Sequence, residues 1–150
     1  MNYIVPAGVA GHNPAFRGAP KHDPAAANAL LDRFGYRIGS DGYRTRPDGK
    51  PLTIELACGT SSTDKQWNEY WQKTFDTLKI RLSFRQGKWN ELSKANHQGK
   101  LQMWGMAWGA DYPDGENFMQ LLYGKNAGDS NAADFKNADY DRLANAGRGR

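Results

Sequence analysis

Asp111 is the acidic residue whose surroundings most suggest chemistry, since it follows an apolar run and stands between Trp108 and Tyr112. The run covers residues 101–108, which is the length of a buried strand and far too short for a membrane span. In open α/β sheets, ligands bind beyond the carboxyl ends of the strands. A carboxylate there can pair with a cationic ligand group, and the aromatic rings would add cation–π attraction. The alternative stays open that Asp111 only caps the turn or helix that follows.

The other groups with chemical potential form no recognisable site. Asp111, Asp114 and Glu116 are clustered, but their spacing does not fit a twelve-residue calcium loop, and Asp114 and Glu116 fit the N-cap and first turn of a helix. Cys58 is the single cysteine and ends an apolar strand, so it predicts a small core residue and no internal disulfide. The sequence lacks a nucleophile elbow, a Walker motif and a zinc spacing, and we expect no metal or cofactor. The histidines are scattered, at positions 12, 22 and 97.

Charge and composition favour an ordinary globular domain. The formal net charge is +4 and the isoelectric point about 9.2, but no block of five like charges occurs, which favours a solvated surface over a nucleic-acid face. At 150 residues the chain predicts one domain, residues 1–150, with a loop-rich lead-in at residues 1–23. The N-terminus has no apolar core of a signal peptide, and no stretch is long enough to span a membrane.

The elements that would position Asp111 alternate between helix and strand. Asp23 as N-cap, Pro24 at the first position and Gly35 at the end predict a helix, and two Asp-Gly pairs predict turns within residues 36–51. A strand is predicted at 52–58. A helix with a Thr63/Gln66 capping box should then pack its aromatic face, residues 67–78, on a sheet.

Further alternation completes the predicted domain. Strands are expected near 80–84 and 101–108, a helix from Trp89 to Gly99, a helix capped by Gly124, and a last helix from near Asn137 with Leu143 inward. Strands that alternate with helices favour crossover connections. The predicted fold class is therefore α/β, with a mixed, largely parallel sheet flanked by helices.

Several segments resemble, in order, the large extracytoplasmic solute-binding proteins of ABC importers, in the branch of the oligopeptide-, dipeptide- and nickel-binding proteins (solute-binding family 5). The most specific segment is W-G-A-D-Y-P-D-G-E-N-F at residues 108–118. Two more segments are the P-K-H-D-P-A-A-A-N-A-L-L-D-R-F-G-Y run at 20–36, which is similar to a helix of the family, and the strand entry D-G-Y-R-T-R-P-D-G-K-P-L-T-I-E-L at 41–56. The last two are the L-K-I-R-L-S-F strand at 78–84, where Lys79 replaces the usual glycine, and the helix N-A-D-Y-D-R-L at 137–143.

The resemblance implies a fold, a role and a site. The fold is one lobe of a two-lobed type II periplasmic-binding protein, and this chain looks like most of the C-terminal lobe, excised. The role is to capture a small solute, above all a short peptide, and to deliver it to an ABC permease from a periplasmic or other extracytoplasmic location. In peptide-binding members the aspartate of the signature pairs with the ligand's α-ammonium group. The ligand-binding residues implied here are Asp111, Trp108, Gly109, Tyr112 and Trp104.

Two other functions stay open at this stage. A carboxylate-dependent α/β hydrolase domain would need a second catalytic group near Asp111, and the sequence offers none that is convincing. A nucleic-acid binder would combine the arginines and lysines with the tryptophans and tyrosines, and would show an affinity that falls steeply with salt. The receptor is expected to act without catalysis and without nucleic acid.

Overall fold

The structure is a computed structural model that describes residues 4–16, 18 and 20–147. These residues form two compact units. The first, called the sheet unit, consists of His22–Ala95 and Leu101–Gly105. The second, called the loop–helix unit, consists of the other described residues, with most of its length after Met106. In the described part of the chain, no helix combines the length and the apolar character that a membrane crossing requires.

The sheet unit is built on three parallel strands. These are β1 (Thr53–Cys58), β2 (Arg81–Gln86) and β3 (Met103–Trp104), and β1 lies in the centre in the order β2-β1-β3. Helices connect them, and the order along the chain is α1 (Pro24–Arg33), β1, α2 (Ser62–Thr77), β2, α3 (Trp89–His97) and β3. The prediction of parallel strands joined by helical crossovers is confirmed. The buried core of this unit comprises Leu56, Ala57, Ile80, Leu92 and Ala95.

Strand β3 is shorter than predicted, because its neighbour ends. Ala57 pairs with Trp104, and β1 stops one residue later, at Cys58. At the other end of β3, the Gln102 side-chain oxygen accepts a hydrogen bond from the Glu55 backbone N–H at 2.7 Å, where a longer strand would supply a backbone carbonyl. Only two of the eight residues in the apolar run 101–108 therefore join the sheet.

Helix α1 begins and ends as its sequence predicts. The Asp23 side chain accepts a hydrogen bond from Ala26 N at 2.9 Å, and Pro24 is the first helical residue. At the other end Gly35 has a φ of +83°, and Tyr36 N donates to Leu31 O at 2.9 Å. This pair of features is the Schellman ending that a glycine just past a helix favours.

Helix α2 corrects two predictions. Its capping box is formed by Ser61 and Asp64, not by Thr63 and Gln66, since Ser61 is the residue with extended backbone before the first turn. Its aromatic face is only partly covered. Trp67 and Tyr70 are 57% and 56% exposed, and their rings pack edge to face against each other. They remain exposed because the three-stranded sheet covers only the later part of the aromatic face, where the residues are half-buried.

The segment between α1 and β1 is held by one buried arginine. The Arg44 side chain is 2% exposed, and it donates to Leu78 O, Tyr36 O and the side chains of Asp32 and Asn28. These acceptors come from α1, from the segment just after it and from the end of α2. Arg44 therefore joins the helices to the predicted excursion, whose Asp-Gly turns both form, with φ of +80° at each glycine.

The loop–helix unit contains α4 (Glu116–Met119) and α5 (Ala138–Gly147), with 3₁₀ turns at Gln120–Leu122 and Gly124–Asn126 between them. Helix α5 begins next to Asn137 as predicted, and the Asn137 side chain accepts from Tyr140 N at 2.9 Å. The prediction of Gly124 as a helix cap is wrong. Gly124 N donates to Asp141 Oδ1 at 2.8 Å, and an added Cβ would lie 2.6 Å from that carboxylate, so glycine is needed for the close approach to α5.

Candidate functional site

The predicted site residues are shared between the two units. Trp104 belongs to the sheet unit, where it is the last residue of β3 and therefore lies at the carboxyl edge of the sheet. It is half-buried, and its ring centroid lies 5.1 Å from that of Trp89, at an interplanar angle of 49°. The open edge of a parallel sheet thus carries a pair of tryptophans, of which Trp89 is 66% exposed.

The other four predicted residues lie together in the loop–helix unit. Trp108, Gly109, Asp111 and Tyr112 follow one another in a segment without helix or strand. Within the described residues, the backbone groups of residues 106–110 form no hydrogen bond at all. The space beside Gly109 is open, since no atom lies within 4 Å of the position that a Cβ would take there. The segment therefore offers unpaired backbone donors and acceptors next to two aromatic residues.

The Asp111 carboxylate is available to a ligand. Asp111 is exposed, and it forms neither a hydrogen bond nor an ion pair with any other described residue. Among the described residues, Asp111 therefore does not cap the turn or helix that follows it. A carboxylate with no partner among the described residues can accept charge-assisted hydrogen bonds from an ammonium or guanidinium group.

Trp108 is held by a buried side chain. Its indole Nε1–H donates to Asn117 Oδ1 at 2.8 Å, and Asn117 is 1% exposed in α4. The Trp108 ring itself is half-buried. An indole with one edge fixed and one face uncovered is suited to line a binding site that is apolar on one side and wet on the other.

Tyr112 is held by the neighbouring acid. Its hydroxyl donates to Glu116 Oε2, and this hydrogen bond is the main reason that the pKa of Tyr112 is raised above its ordinary value of 10.0. The nearby Asn117 amide acts in the opposite direction, whereas desolvation and the negative charges of Glu116 and Asp114 add to the increase in the pKa. The phenol therefore stays protonated at neutral pH, and the Glu116 carboxylate is engaged.

Asp114 is also engaged, although not as the N-cap that the sequence predicts. The N-cap of α4 is Gly115, which makes no side-chain hydrogen bond, and Asp114 Oδ1 instead accepts from Glu116 N at 2.8 Å. The shift by one residue follows from pairing with the first loop, in which Gly115 N donates to Ala10 O at 2.8 Å. Of the three clustered acids, Asp111 is thus the one with its carboxylate unpaired among the described residues. In that part of the chain no three His, Cys, Asp or Glu side chains gather as metal ligands.

A cavity of about 310 Å³ lies next to this segment in the same unit. Its lining residues include Asp114 and Glu116, but not Trp108, Asp111 or Tyr112. Leu143, predicted to point inward, lines this cavity yet is 62% exposed. The cavity therefore shares the two engaged acids with the Asp111 segment, whereas the unpaired Asp111 carboxylate is not part of its lining.

Sequence reasoning missed Asn117 as part of this site. Asn117 is nine residues from Trp108, which matches neither a helix nor a strand period, because the intervening loop is irregular. Asn117 lies within the W-G-A-D-Y-P-D-G-E-N-F segment, but its residue type alone indicated no role in the site. Only the folded path of the loop brings its amide to the indole.

Comparisons with known proteins agree on one family. The family model of the bacterial extracellular solute-binding proteins, family 5 middle, matches residues 1–130. Heme-binding protein A of Haemophilus influenzae is 26% identical to this chain over 125 residues, which is 83% of this chain and 22% of that protein.

Solved structures agree on the fold. HbpA2 from Haemophilus parasuis has a TM-score of 0.78 at 17% identity, over 97% of this chain and 27% of that one. The periplasmic binding protein DppA from Helicobacter pylori, determined in complex with the peptide STSA, has a TM-score of 0.74 at 19% identity, over 94% of this chain and 26% of that one. The predicted α/β fold of the periplasmic-binding-protein type is confirmed. The chain spans about a quarter of the length of these relatives.

Proposed function

Because the chain belongs to the bacterial extracellular solute-binding proteins of family 5, we propose that it forms part of the solute receptor of an ABC importer and contacts a short peptide there. It supplies one lobe, the C-terminal one, of a receptor that closes on its ligand and then docks on a membrane permease in the extracytoplasmic space. The role is binding without turnover. Membership of the family does not identify the solute, since the name of one relative refers to heme and another relative was determined in complex with a peptide.

The observation that carries the peptide assignment is the exposed, unpaired carboxylate of Asp111 between Trp108 and Tyr112. A peptide's α-ammonium group is a compact cation that such a carboxylate accepts, and flanking rings add about 0.5–1 kcal/mol at an exposed site by cation–π attraction. An exposed ion pair alone contributes about 0.2–1 kcal/mol. Asp111 and its neighbours therefore select the ammonium end of a ligand more than they hold the whole ligand.

The rest of the peptide fits the unpaired backbone of residues 106–110. Peptides often bind by adding a strand, with main-chain hydrogen bonds for affinity and side-chain pockets for specificity. The backbone groups of this segment have no protein partner among the described residues, and the space beside Gly109 is open. An ammonium group at Asp111 would leave the following peptide groups free to pair along this segment.

The hydrolase alternative finds less support in this site. A carboxylate enzyme needs a second group near the first, to act as acid, base or nucleophile. The adjacent acids already have partners: Asp114 Oδ1 accepts from Glu116 N, and Glu116 Oε2 accepts from Tyr112. The arrangement suits recognition of a cation better than proton transfer.

The test is an NMR titration of the ¹⁵N-labelled 150-residue chain with trialanine, which detects binding even at millimolar Kd. We expect the largest amide shifts in residues 106–112, together with a shift of the Trp108 indole signal, and a weaker response to N-acetyl-trialanine, which lacks the ammonium group. The absence of any shift with trialanine would refute the peptide assignment. Shifts confined to the cavity around Met119 and Leu143 would refute the location of the site.

A further inference from the structure

Asn117 is a buried polar residue whose side chain serves the proposed site. Only 1% of Asn117 is exposed, and an amide that deep in a protein is costly unless its polar atoms are bonded. Its backbone is engaged separately, with N donating to Asp114 O at 3.2 Å and O accepting from Gln120 Nε2 at 3.1 Å. The side-chain oxygen accepts from the Trp108 indole at 2.8 Å. The amide is therefore committed to the aromatic residue that precedes Asp111.

Trp108 depends on this hydrogen bond more than a tryptophan in a strand would. Among the described residues, the indole bond to Asn117 is the hydrogen bond that ties residues 106–110 to the rest of the unit, because their backbone groups form none. A half-buried indole can turn about two side-chain torsions, and a fixed N–H selects one ring plane. Loss of the acceptor would release both the ring and the segment that carries it.

The second ring has a partner of its own. The Tyr112 hydroxyl donates to Glu116 Oε2. The Asn117 side-chain oxygen is engaged by the Trp108 indole. Asn117 therefore orients the ring that precedes Asp111 in the sequence, and Glu116 orients the ring that follows it.

We propose that Asn117 is a positioning residue that fixes the ring of Trp108, three residues before Asp111, and thereby sets the preference of this site for ligands with a free ammonium group. The proposal rests on the proposed function, because it assigns a role within the same site. It adds a residue that does not touch the ligand itself. Rings held at a fixed angle keep their faces toward a cation, whereas freely turning rings lose most of the cation–π attraction on average.

The first measurement needs no ligand. In a chain labelled with ¹⁵N at tryptophan, the variant Trp108→Phe identifies the Trp108 indole signal. Asn117→Leu, which keeps the branching of the side chain, should shift this signal and raise its hydrogen exchange about fivefold, since a typical hydrogen bond of this kind contributes about 1 kcal/mol. Asn117→Asp keeps an oxygen for the indole and should restore most of the native shift.

Asn131→Leu is the matched control for lost stability. Asn131 is 0% exposed in the same unit, and its side chain bonds to the backbone of Tyr123 and Phe135, not to Trp108. We expect this variant to destabilise the chain while the Trp108 indole signal stays in place. A Trp108 signal that is unmoved in Asn117→Leu, or that moves equally in Asn131→Leu, would refute the positioning role.

The second measurement is the affinity ratio of trialanine to N-acetyl-trialanine. In Asn117→Leu we expect the preference for the free ammonium group to fall to a small fraction of its native value, whereas Asn131→Leu retains it. An unchanged ratio with a displaced indole signal would refute the effect on selectivity and leave Asn117 a structural residue. A native chain that binds neither peptide would refute the proposed function and the selectivity role together, while the indole signal would still report on the hydrogen bond to Trp108.

Discussion

Replacing the buried Arg44 by methionine should strongly destabilise this chain. The guanidinium is 2% exposed and donates four side-chain hydrogen bonds: to Leu78 O at 2.9 Å, Asp32 Oδ1 at 2.6 Å, Tyr36 O at 2.5 Å and Asn28 Oδ1 at 2.8 Å. Methionine keeps much of the volume but leaves all four acceptors without this donor. The change therefore isolates the polar contribution from the packing.

The loss of stability depends on which of the four acceptors water can reach once the guanidinium is removed. Asp32 is 54% exposed and can be resolvated, so its loss costs little. The carbonyl oxygens of Tyr36 and Leu78 accept from a side chain that fills a buried space, and unsatisfied acceptors there cost about 1–3 kcal/mol each. Two such acceptors together cost about 2–6 kcal/mol. We expect a loss of about 3–5 kcal/mol, which for a domain of this size lowers the Tm by about 6–20 °C.

The assay is urea unfolding followed by circular dichroism, with thermal unfolding beside it. The control is Arg46→Met, because Arg46 lies in the same excursion with its side chain 47% exposed and pairs with Asp48 at 3.2 Å. An exposed pair of this kind contributes less than about 1 kcal/mol. Arg44→Lys should fall between the two, since lysine keeps the charge but not the forked geometry. Equal losses in Arg44→Met and Arg46→Met would refute the assignment of Arg44 as the residue that joins the two helices to the excursion.

Three further changes test the local structure. Gly35→Ala places a Cβ on a residue whose φ is +83°, and it should lower the free energy of unfolding in urea by about 1–2 kcal/mol. Gly109→Ala should be nearly neutral, because its Cβ would meet no atom within 4 Å. A large loss of stability in Gly109→Ala would contradict this. Ser61→Ala should cost about 1 kcal/mol by removal of the α2 cap, and Thr63→Ala much less, with the reverse order as the refuting result. The pKa of Asp64 lies below its ordinary 3.8 because of hydrogen bonds from Ser61, so its contribution to stability is present above that pH and is lost as the pH falls below it. Urea midpoints measured across this range should depend less on pH in Asp64→Asn, and an unchanged pH dependence would contradict the assignment.

Local chemistry was predictable from the sequence where one residue decides the backbone. Asp23, Pro24 and Gly35 delimit α1 because a cap, a fixed φ and a left-handed ending each depend on their own residue type. The parallel arrangement was predictable because crossover connections impose it. The cap of α2 was not predictable from the sequence, since serine and threonine are both good N-caps and only the extended backbone at Ser61 decides between Ser61 and Thr63.

Features that depend on a distant partner were not predictable in this way. The apolar run 101–108 pairs only over Met103–Trp104, because the end of β1 sets its length. Trp67 fits a helix stripe as well as any core residue, yet the width of the sheet leaves it exposed. The site shows the same division. Asp111 and Trp108 were predicted from the resemblance and from their place after an apolar run, whereas Asn117 was visible only in the folded loop.

The central claim is that Asp111 pairs with the ammonium group of the ligand. Its most direct test is a thermodynamic cycle measured by calorimetry. Trialanine and N-acetyl-trialanine are titrated into the native chain, Asp111→Asn and, as a control for lost charge, Asp129→Asn. We predict that the native chain and Asp129→Asn prefer the free ammonium group by about fivefold to tenfold, the equivalent of about 1–1.4 kcal/mol from one ion pair and its flanking rings, and that Asp111→Asn loses this preference. A preference that survives in Asp111→Asn would contradict the account.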